Sequence, residues 1–300
     1  MFKFVNCPLC NDDDYLIHYE STVPEGSLLT PKKMSIEYDV EHLRIVICNH
    51  CGMQYSNPID RLVELNKNYR QLPKMAYLDQ MEERFLTFQS NYKAIKKYKT
   101  SGRLLDIGCS VGLFLNAAKE DMEVYGVELS EITSRYAREH FGLNVMTSDV
   151  EGRFESGFFD VVTMWDMIEH VFDPKKLLFE THRILKDDGI VCISTPYVDG
   201  MLAKVMGKKW IHYIRTHLTF FSTHTLHRIF TETGFEIISK TDYSRIFTVT
   251  YFVKRAMQHN LVTGMVLNYL MKLFRLGNIR VRFNLKDTLF VIAKKKPYVK

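Results

Sequence analysis

Arg103-Leu104-Leu105-Asp106-Ile107-Gly108-Cys109-Ser110-Val111-Gly112 is the stretch that decides the fold. Its first five residues form a short apolar run of strand character around Asp106, and the glycines that follow let the backbone turn sharply. Leu113, Phe114, Ala117 and Ala118 then recur at helical spacing, so the turn feeds a helix whose N-terminus favours negative charge. Strand, glycine turn and helix in that order make the nucleotide-binding unit of an open α/β sheet. A dinucleotide fingerprint would need glycines at 108, 110 and 113, and Ser110 and Leu113 occupy two of those places. A glycine pair four apart after an acid leaves room instead for an amino-acid moiety, with the Asp106 carboxylate available to its polar groups.

Working outward, residues 123–128 read as a second strand ending in Glu128, where a carboxylate can accept both hydroxyls of a ribose. A third strand over 143–146 leads to Ser148 and Asp149, and Asp149 could accept the exocyclic amine of an adenine. A fourth strand over 159–164 runs into Trp165-Asp166-Met167-Ile168-Glu169-His170-Val171, the place where doubly wound sheets hold their ligands. His170 is the general-base candidate because imidazole titrates near neutrality, and Glu169 beside it could orient a substrate or bind a metal. After a fifth strand over 190–194, the irregular stretch 197–221 reads as a lid, with Tyr197 and His217 as substrate contacts and His212 as a weaker one. Ser222 is placed to cap a helix that Gly234 ends. Residues 248–274 read as a helix rich in Met, Leu, Val and Tyr, suited to core or dimer packing or to a membrane surface, and 284–294 as a final strand.

The six cysteines divide unevenly. Cys7-Pro8-Leu9-Cys10 and Cys48-Asn49-His50-Cys51 are two Cys-x-x-Cys turns, which together supply four thiolates for a closed tetrahedral zinc site. Such a site has no open position, so the zinc serves folding or substrate docking and not chemistry. Ile45-Val46-Ile47 is the strand that delivers the second turn, and the long gap between the turns holds a further turn at 23–27. Helical patterns follow at 61–69 and at 79–98, the latter with Met81, Phe85, Phe88, Tyr92, Ile95 and Tyr98 at three- and four-residue spacing. The expected organisation is a zinc ribbon over 1–58, linking helices over 59–99 and an α/β catalytic domain over 100–300.

The 300 residues, 46% hydrophobic and 25% charged, describe an ordered globular chain, neither disordered nor fibrous. The net charge of +5 gathers in patches at Lys96 and Lys97, Lys208 and Lys209, and 294–300, which read as solvated surface and argue against a nucleic-acid partner. No apolar run suits a signal peptide or a membrane span, so a cytoplasmic monomer or homodimer is expected, with peripheral contact at the inner face of the membrane as the alternative for 248–274.

The segments 104–112, 125–130 and 159–171 resemble the class I S-adenosylmethionine-dependent methyltransferase superfamily, and in particular the zinc-ribbon-bearing bacterial methyltransferases of saccharide and secondary-metabolite pathways. The resemblance implies a Rossmann-like, seven-stranded, mostly parallel sheet with helices on both faces and one antiparallel strand, preceded by the four-cysteine ribbon. It implies S-adenosylmethionine held by Asp106, Gly108, Cys109, Ser110, Gly112, Glu128, Leu129, Asp149 and Trp165. Ser110 stands where the family usually has its middle glycine. In similar sugar C-methyltransferases a Glu-His pair is implicated in catalysis, which implies that role for Glu169 and His170. Ubiquinone-pathway O-methyltransferases carry an acid-x-x-Glu-His pattern associated with a divalent cation, matched here by Asp166, Glu169 and His170, with Asp for the usual Glu. Asp166 is also a substrate contact on this reading. The implied reaction is methyl transfer to oxygen or carbon of a small or carrier-linked acceptor, with a nucleotide-linked or polysaccharide sugar as first reading. The alternatives are an RNA-modifying enzyme whose ribbon grips RNA, and a quinone or polyprenyl O-methyltransferase at the membrane surface.

Overall fold

The computed structural model describes residues 2–24, 41–60, 80–259 and 261–297. The helical pattern at 61–69 lies outside the described residues, as does most of the turn at 23–27.

The strands of the main sheet are β1 Arg103–Ile107, β2 Glu123–Val127, β3 Asn144–Met146, β4 Phe159–Trp165, β5 Leu185–Pro196, β6 Phe235–Asp242 and β7 Thr288–Lys295. Their order is β6-β7-β5-β4-β1-β2-β3, with β7 antiparallel to both β5 and β6 and the other pairings parallel. This is the expected seven-stranded sheet with one reversed strand. The chain steps outward from β1 to β2 and β3 on one side and from β4 to β5 on the other. The carboxyl ends of β1 and β4 therefore flank the topological switch point, where the fold opens a crevice.

Among the described residues, five helices frame the sheet: α1 Met81–Ile95, α2 Leu113–Ala118, α3 Glu131–Phe141, α4 Pro174–Ile184 and α5 Thr223–Glu232. Ser130 accepts the Thr133 N–H to start α3, and Gly142 closes it in the left-handed conformation. Ser222 caps α5 as its sequence suggests, through a reciprocal bond pair with Thr225. On α1 the expected aromatic stripe is only partly the buried one, since Glu83, Thr87 and Asn91 are buried beside Tyr92 and Ile95. The reason is that α1 also serves a polar neighbour: Thr87 Oγ1 accepts the Ile246 N–H at 2.9 Å and Asn91 Nδ2 donates to Tyr243 Oη at 3.0 Å.

The N-terminal segment forms a second sheet in the order Thr219–Phe220, Gln54–Ser56, Ile45–Cys48, Tyr15–Tyr19. Its outer strand, Thr219–Phe220, comes from the lid segment of the catalytic region. Leu9, Val46, Met53 and Tyr55 share one apolar core with Ile168, Phe221, Leu226 and Phe230, so the ribbon is built into the catalytic region and is not a bead on a linker. At the other end, the stretch expected as one helix over 248–274 is two, α6 Val249–His259 and α7 Leu261–Leu273, packed on each other and flanked by the paired strands Arg245–Thr248 and Arg280–Phe283.

Candidate active site

The turn after β1 is held in conformations that glycine favours. Gly108 and Gly112 have φ of 75° and 80°, and a Cβ on Gly108 would lie 2.8 Å from Met167 Cγ. Ser110, at the family's usual glycine position, has φ of 51°, a left-handed residue with a side chain. Two carboxylates support the turn. Glu128 accepts the Ser110 N–H at 2.9 Å on one oxygen and the Ser130 N–H at 2.8 Å on the other, which ties the end of β2 to the turn after β1. Asp106, buried, accepts the Thr163 hydroxyl at 2.7 Å, and burial pushes its carboxyl up to about 8, with the Glu128 charge adding to the shift. Cys109 is buried, and a Cβ on Gly126 would meet its Sγ at 2.7 Å.

Leu129 and Asp149 line a cavity of about 380 Å³ together with Glu131, Thr147, Ser148 and Arg153. Trp165 lies elsewhere, in an aromatic cluster with Phe114 at 4.8 Å, Phe290 at 5.4 Å and Phe88 at 5.7 Å between ring centroids. These acceptors fit S-adenosylmethionine: Asp106 would take the cofactor's amino group, Glu128 its ribose hydroxyls through its remaining lone pairs, and the cavity beside Asp149 its adenine. The buried Ser110 Oγ, without a partner among the described residues, leaves a further polar group for it.

A left-handed serine costs about 1 kcal/mol relative to glycine, partly returned by glycine's freer unfolded chain. Ser110→Gly is therefore expected to hold or raise stability by up to about 1 kcal/mol, while the β-branched Ser110→Val loses about 2 kcal/mol. Urea unfolding of the two variants measures this, and a clear loss in the glycine variant would show that the Ser110 hydroxyl outweighs the strain.

At the end of β4 the backbone is again unusual, with Asp166 at φ of 49°. Ser194 anchors it, accepting the Asp166 N–H at 3.0 Å and donating its hydroxyl to Oδ1 at 2.9 Å, while the Arg245 guanidinium pairs with Oδ2. Burial works against the Asp166 charge, but Arg245, the Ser194 hydroxyl and His212 outweigh it and hold the carboxyl below the usual carboxylate range. Glu169 and His170 follow on a 3₁₀ turn, Ile168–His170. Glu169 is fully enclosed: Oε2 accepts the Thr195 hydroxyl at 3.0 Å, Oε1 has no partner among the described residues, and burial, followed by the Asp166 charge, pushes the carboxyl up to about 8. His170 Nδ1 lies 2.9 Å from the Thr216 carbonyl, and burial pushes its ring down to about 4.

The lid brings His217 to this pair. Its ring centroid is 4.6 Å from that of His170, its Nδ1 is buried without a partner among the described residues, and one ligand atom from each of Glu169, His170 and His217 falls within 4.8 Å of the others. Of the cation set expected at Asp166, Glu169 and His170, the last two lie in this group with His217, while the Asp166 carboxylate is engaged by Ser194 and Arg245. The Tyr197 hydroxyl donates to Asp242 at 3.0 Å. His212 stacks on His217 at 5.9 Å and contacts Asp287 at 3.2 Å through Nε2. Arg245 and Asp287 are the residues that sequence reasoning missed. The one available signal was that Asp287 is the first acid after Asp242 in an otherwise basic stretch.

The four cysteines of the N-terminal turns also converge. Cys7 and Cys51 sulfurs are 3.4 Å apart, Cys10 and Cys48 sulfurs 3.5 Å, and all four lie within 4.8 Å of one another. A tetrahedron with Zn–S bonds of about 2.3 Å has edges of about 3.8 Å, so the cluster has the size of a zinc site. Hydrogen bonding from Cys51 draws the Cys7 thiol down to about 5, while burial pushes Cys10 up to about 11. Each turn ends on a left-handed residue, Asn11 at φ of 63° and Gly52 at 73°, and each returns an N–H to its first cysteine's carbonyl at 2.9 Å.

The model of the methyltransferase domain family matches residues 77–240, more than half of the chain. Ubiquinone biosynthesis O-methyltransferase of Pseudomonas aeruginosa is 36% identical over 101 residues, 31% of this chain and 44% of that protein. The corresponding protein of Thiobacillus denitrificans is 28% identical over 188 residues, 58% of this chain and 72% of that protein. The chain thus spans less than half the length of the Pseudomonas relative. Among solved structures, a SAM-dependent methyltransferase from Archaeoglobus fulgidus shares the fold with a TM-score of 0.51 at 20% identity, over 73% of this chain and 99% of that one. With the family model covering the glycine turn, Glu128 and the Glu169–His170 turn alike, the chain belongs to the methyltransferase domain family.

Proposed function

We propose that the protein moves a methyl group from S-adenosylmethionine to an oxygen or acidic carbon of a small or carrier-linked acceptor held between Glu169, His170 and His217. The observation that carries this reading is the meeting of those three side chains at the end of β4, beside the carboxylate-lined turn at the end of β1. The sulfonium of the cofactor supplies an electrophilic methyl group. The protein's share is to align the acceptor with it and to remove a proton. The Thr216 carbonyl can only accept, so His170 Nδ1 carries the hydrogen and Nε2 presents a lone pair. Glu169, with its carboxyl raised to about 8, provides a base matched to mildly alkaline conditions. In this scheme the ribbon over 1–58 holds zinc at Cys7, Cys10, Cys48 and Cys51 and serves the lid, while 100–300 carries the chemistry.

A second reading has a phenolic hydroxyl as acceptor, in keeping with the names of the O-methyltransferase relatives. Glu169, His170 and His217 would then hold a divalent cation, with the Thr216 carbonyl orienting His170 from behind. The sugar acceptor rests on the sequence resemblance. Incubation with methyl-labelled S-adenosylmethionine and three acceptor classes, nucleoside-diphosphate sugars, catechol-type phenols and RNA, separates the readings. Label in sugar or phenol is expected. Label confined to RNA would overturn both readings.

A further inference from the structure

Apart from the candidate site, the segment between Asp242 and Asp287 carries the strongest unassigned feature of the molecule. Over residues 243–286 the chain has eight Lys and Arg residues and no Asp or Glu. The same segment exposes Met265, Val266, Tyr269, Leu273, Phe274 and Ile279, each between 48% and 66% accessible. Side chains of that size left in water over consecutive turns mark a surface that meets something apolar. Lys254, Lys272, Arg275 and Arg282 are exposed along with them. The segment is a built unit, since the pairing of Arg245–Thr248 with Arg280–Phe283 clips its two ends together and Thr250 Oγ1 donates to the Gly277 carbonyl at 2.9 Å. It is tied to the acceptor side of the enzyme by the Arg245–Asp166 ion pair.

We propose that α6 and α7 form a membrane-surface anchor that seats in an anionic lipid leaflet. Among the described residues no helix is long and apolar enough to cross a membrane, which leaves an in-plane geometry. In that geometry the apolar side chains enter the acyl boundary, while the long basic side chains reach back to the lipid phosphates. A second copy of this chain fits the surface poorly. A two-fold interface would bring Lys254, Lys272, Arg275 and Arg282 against their own copies with no acid from the segment to answer them, and the neighbouring Glu82 is already paired with Arg280. The inference goes beyond the methyl-transfer reading and stands without it.

The test is co-sedimentation of the full chain with vesicles of phosphatidylglycerol mixed into phosphatidylcholine, and with vesicles of phosphatidylcholine alone. Binding is expected with the mixed vesicles only and should weaken as salt is raised. Lys272→Glu with Arg275→Glu is expected to weaken it about tenfold or more, and Tyr269→Ser with Phe274→Ser comparably. Both pairs should leave S-adenosylmethionine affinity at the wild-type value, which shows that the variants are folded. Equal binding to both kinds of vesicle, or no binding to either, overturns the proposal. So does a stable dimer in solution that Leu273→Asp dissociates.

Discussion

His170→Gln is expected to lower methyl transfer by about 10²- to 10⁴-fold while leaving S-adenosylmethionine affinity unchanged. The affinity should hold because the groups proposed to hold the cofactor, Asp106, Glu128 and the Ser110 turn, sit at the ends of β1 and β2, and His170 Nδ1 is engaged by the Thr216 carbonyl instead. The rate should fall because His170 is fixed with its lone pair on Nε2 and is kept uncharged by burial down to about pH 4. Glu169→Gln is expected to act differently. The Glu169 carboxyl is raised to about 8, so it is ionised only above that pH, and a rate that uses it as base climbs as pH rises through about 8. The Gln variant should lose that climb, whereas His170, titrating near 4, contributes no step near neutrality. Turnover that survives in His170→Gln, with normal cofactor binding, removes His170 as the proton acceptor. A climb that persists in Glu169→Gln assigns it to another group.

The second large effect is expected far from the chemistry. Cys7→Ser or Cys51→Ser should abolish turnover although neither residue is near the acceptor site in the sequence. The path is a short chain of backbone bonds. The ribbon strand Gln54–Ser56 pairs with Thr219–Phe220, Ser56 donates its N–H to the Leu218 carbonyl at 2.9 Å and its hydroxyl to the His217 carbonyl at 3.0 Å, and the Leu218 N–H donates to the Glu169 carbonyl at 2.8 Å. A structural zinc stabilises a small ribbon by about 10 kcal/mol, so losing a thiolate removes the partner strand that places His217. Elemental analysis should find one zinc per chain, and chelation should lower the melting temperature and the turnover together. Ser56→Ala keeps the four thiolates and loses one bond, about 1 kcal/mol, so a mild drop in turnover is expected there. A native protein free of zinc with all four thiols open to alkylation, or one that keeps full turnover after chelation, would refute this coupling.

Legibility from sequence followed the range of the interactions. The strand, turn and helix over 103–118 were readable because apolar spacing and glycine placement are local, and the two Cys-x-x-Cys turns for the same reason. The reversed strand was harder. Thr288–Lys295 is an apolar run on both faces, which fits its place between β5 and β6, but nothing in the run itself says which neighbours it takes. Phe235–Asp242, the edge strand, has an irregular register at Ile237 to Ser239 that blurs its alternation, so its residue pattern does not mark it as a strand. On α1 the aromatic stripe drew the reading toward one face, while the polar face at Thr87 and Asn91 had partners more than 150 residues away.

By itself the sequence determined a glycine turn after β1, strand-end acids at Asp106 and Glu128, two Cys-x-x-Cys turns and a Glu-His pair after β4, since each is set by neighbours a few residues apart; the meeting of the two cysteine turns, 38 to 44 residues apart, was left to the fold. Only the tertiary structure decided that Asp166 belongs to Ser194 and Arg245, 79 residues on, and that His217 completes the group at Glu169 and His170. The physical reason is that His217 is placed by a two-residue strand borrowed into the ribbon sheet. Backbone pairing of that kind depends on the open edge a distant strand offers, and so leaves no pattern in the residues that answer it.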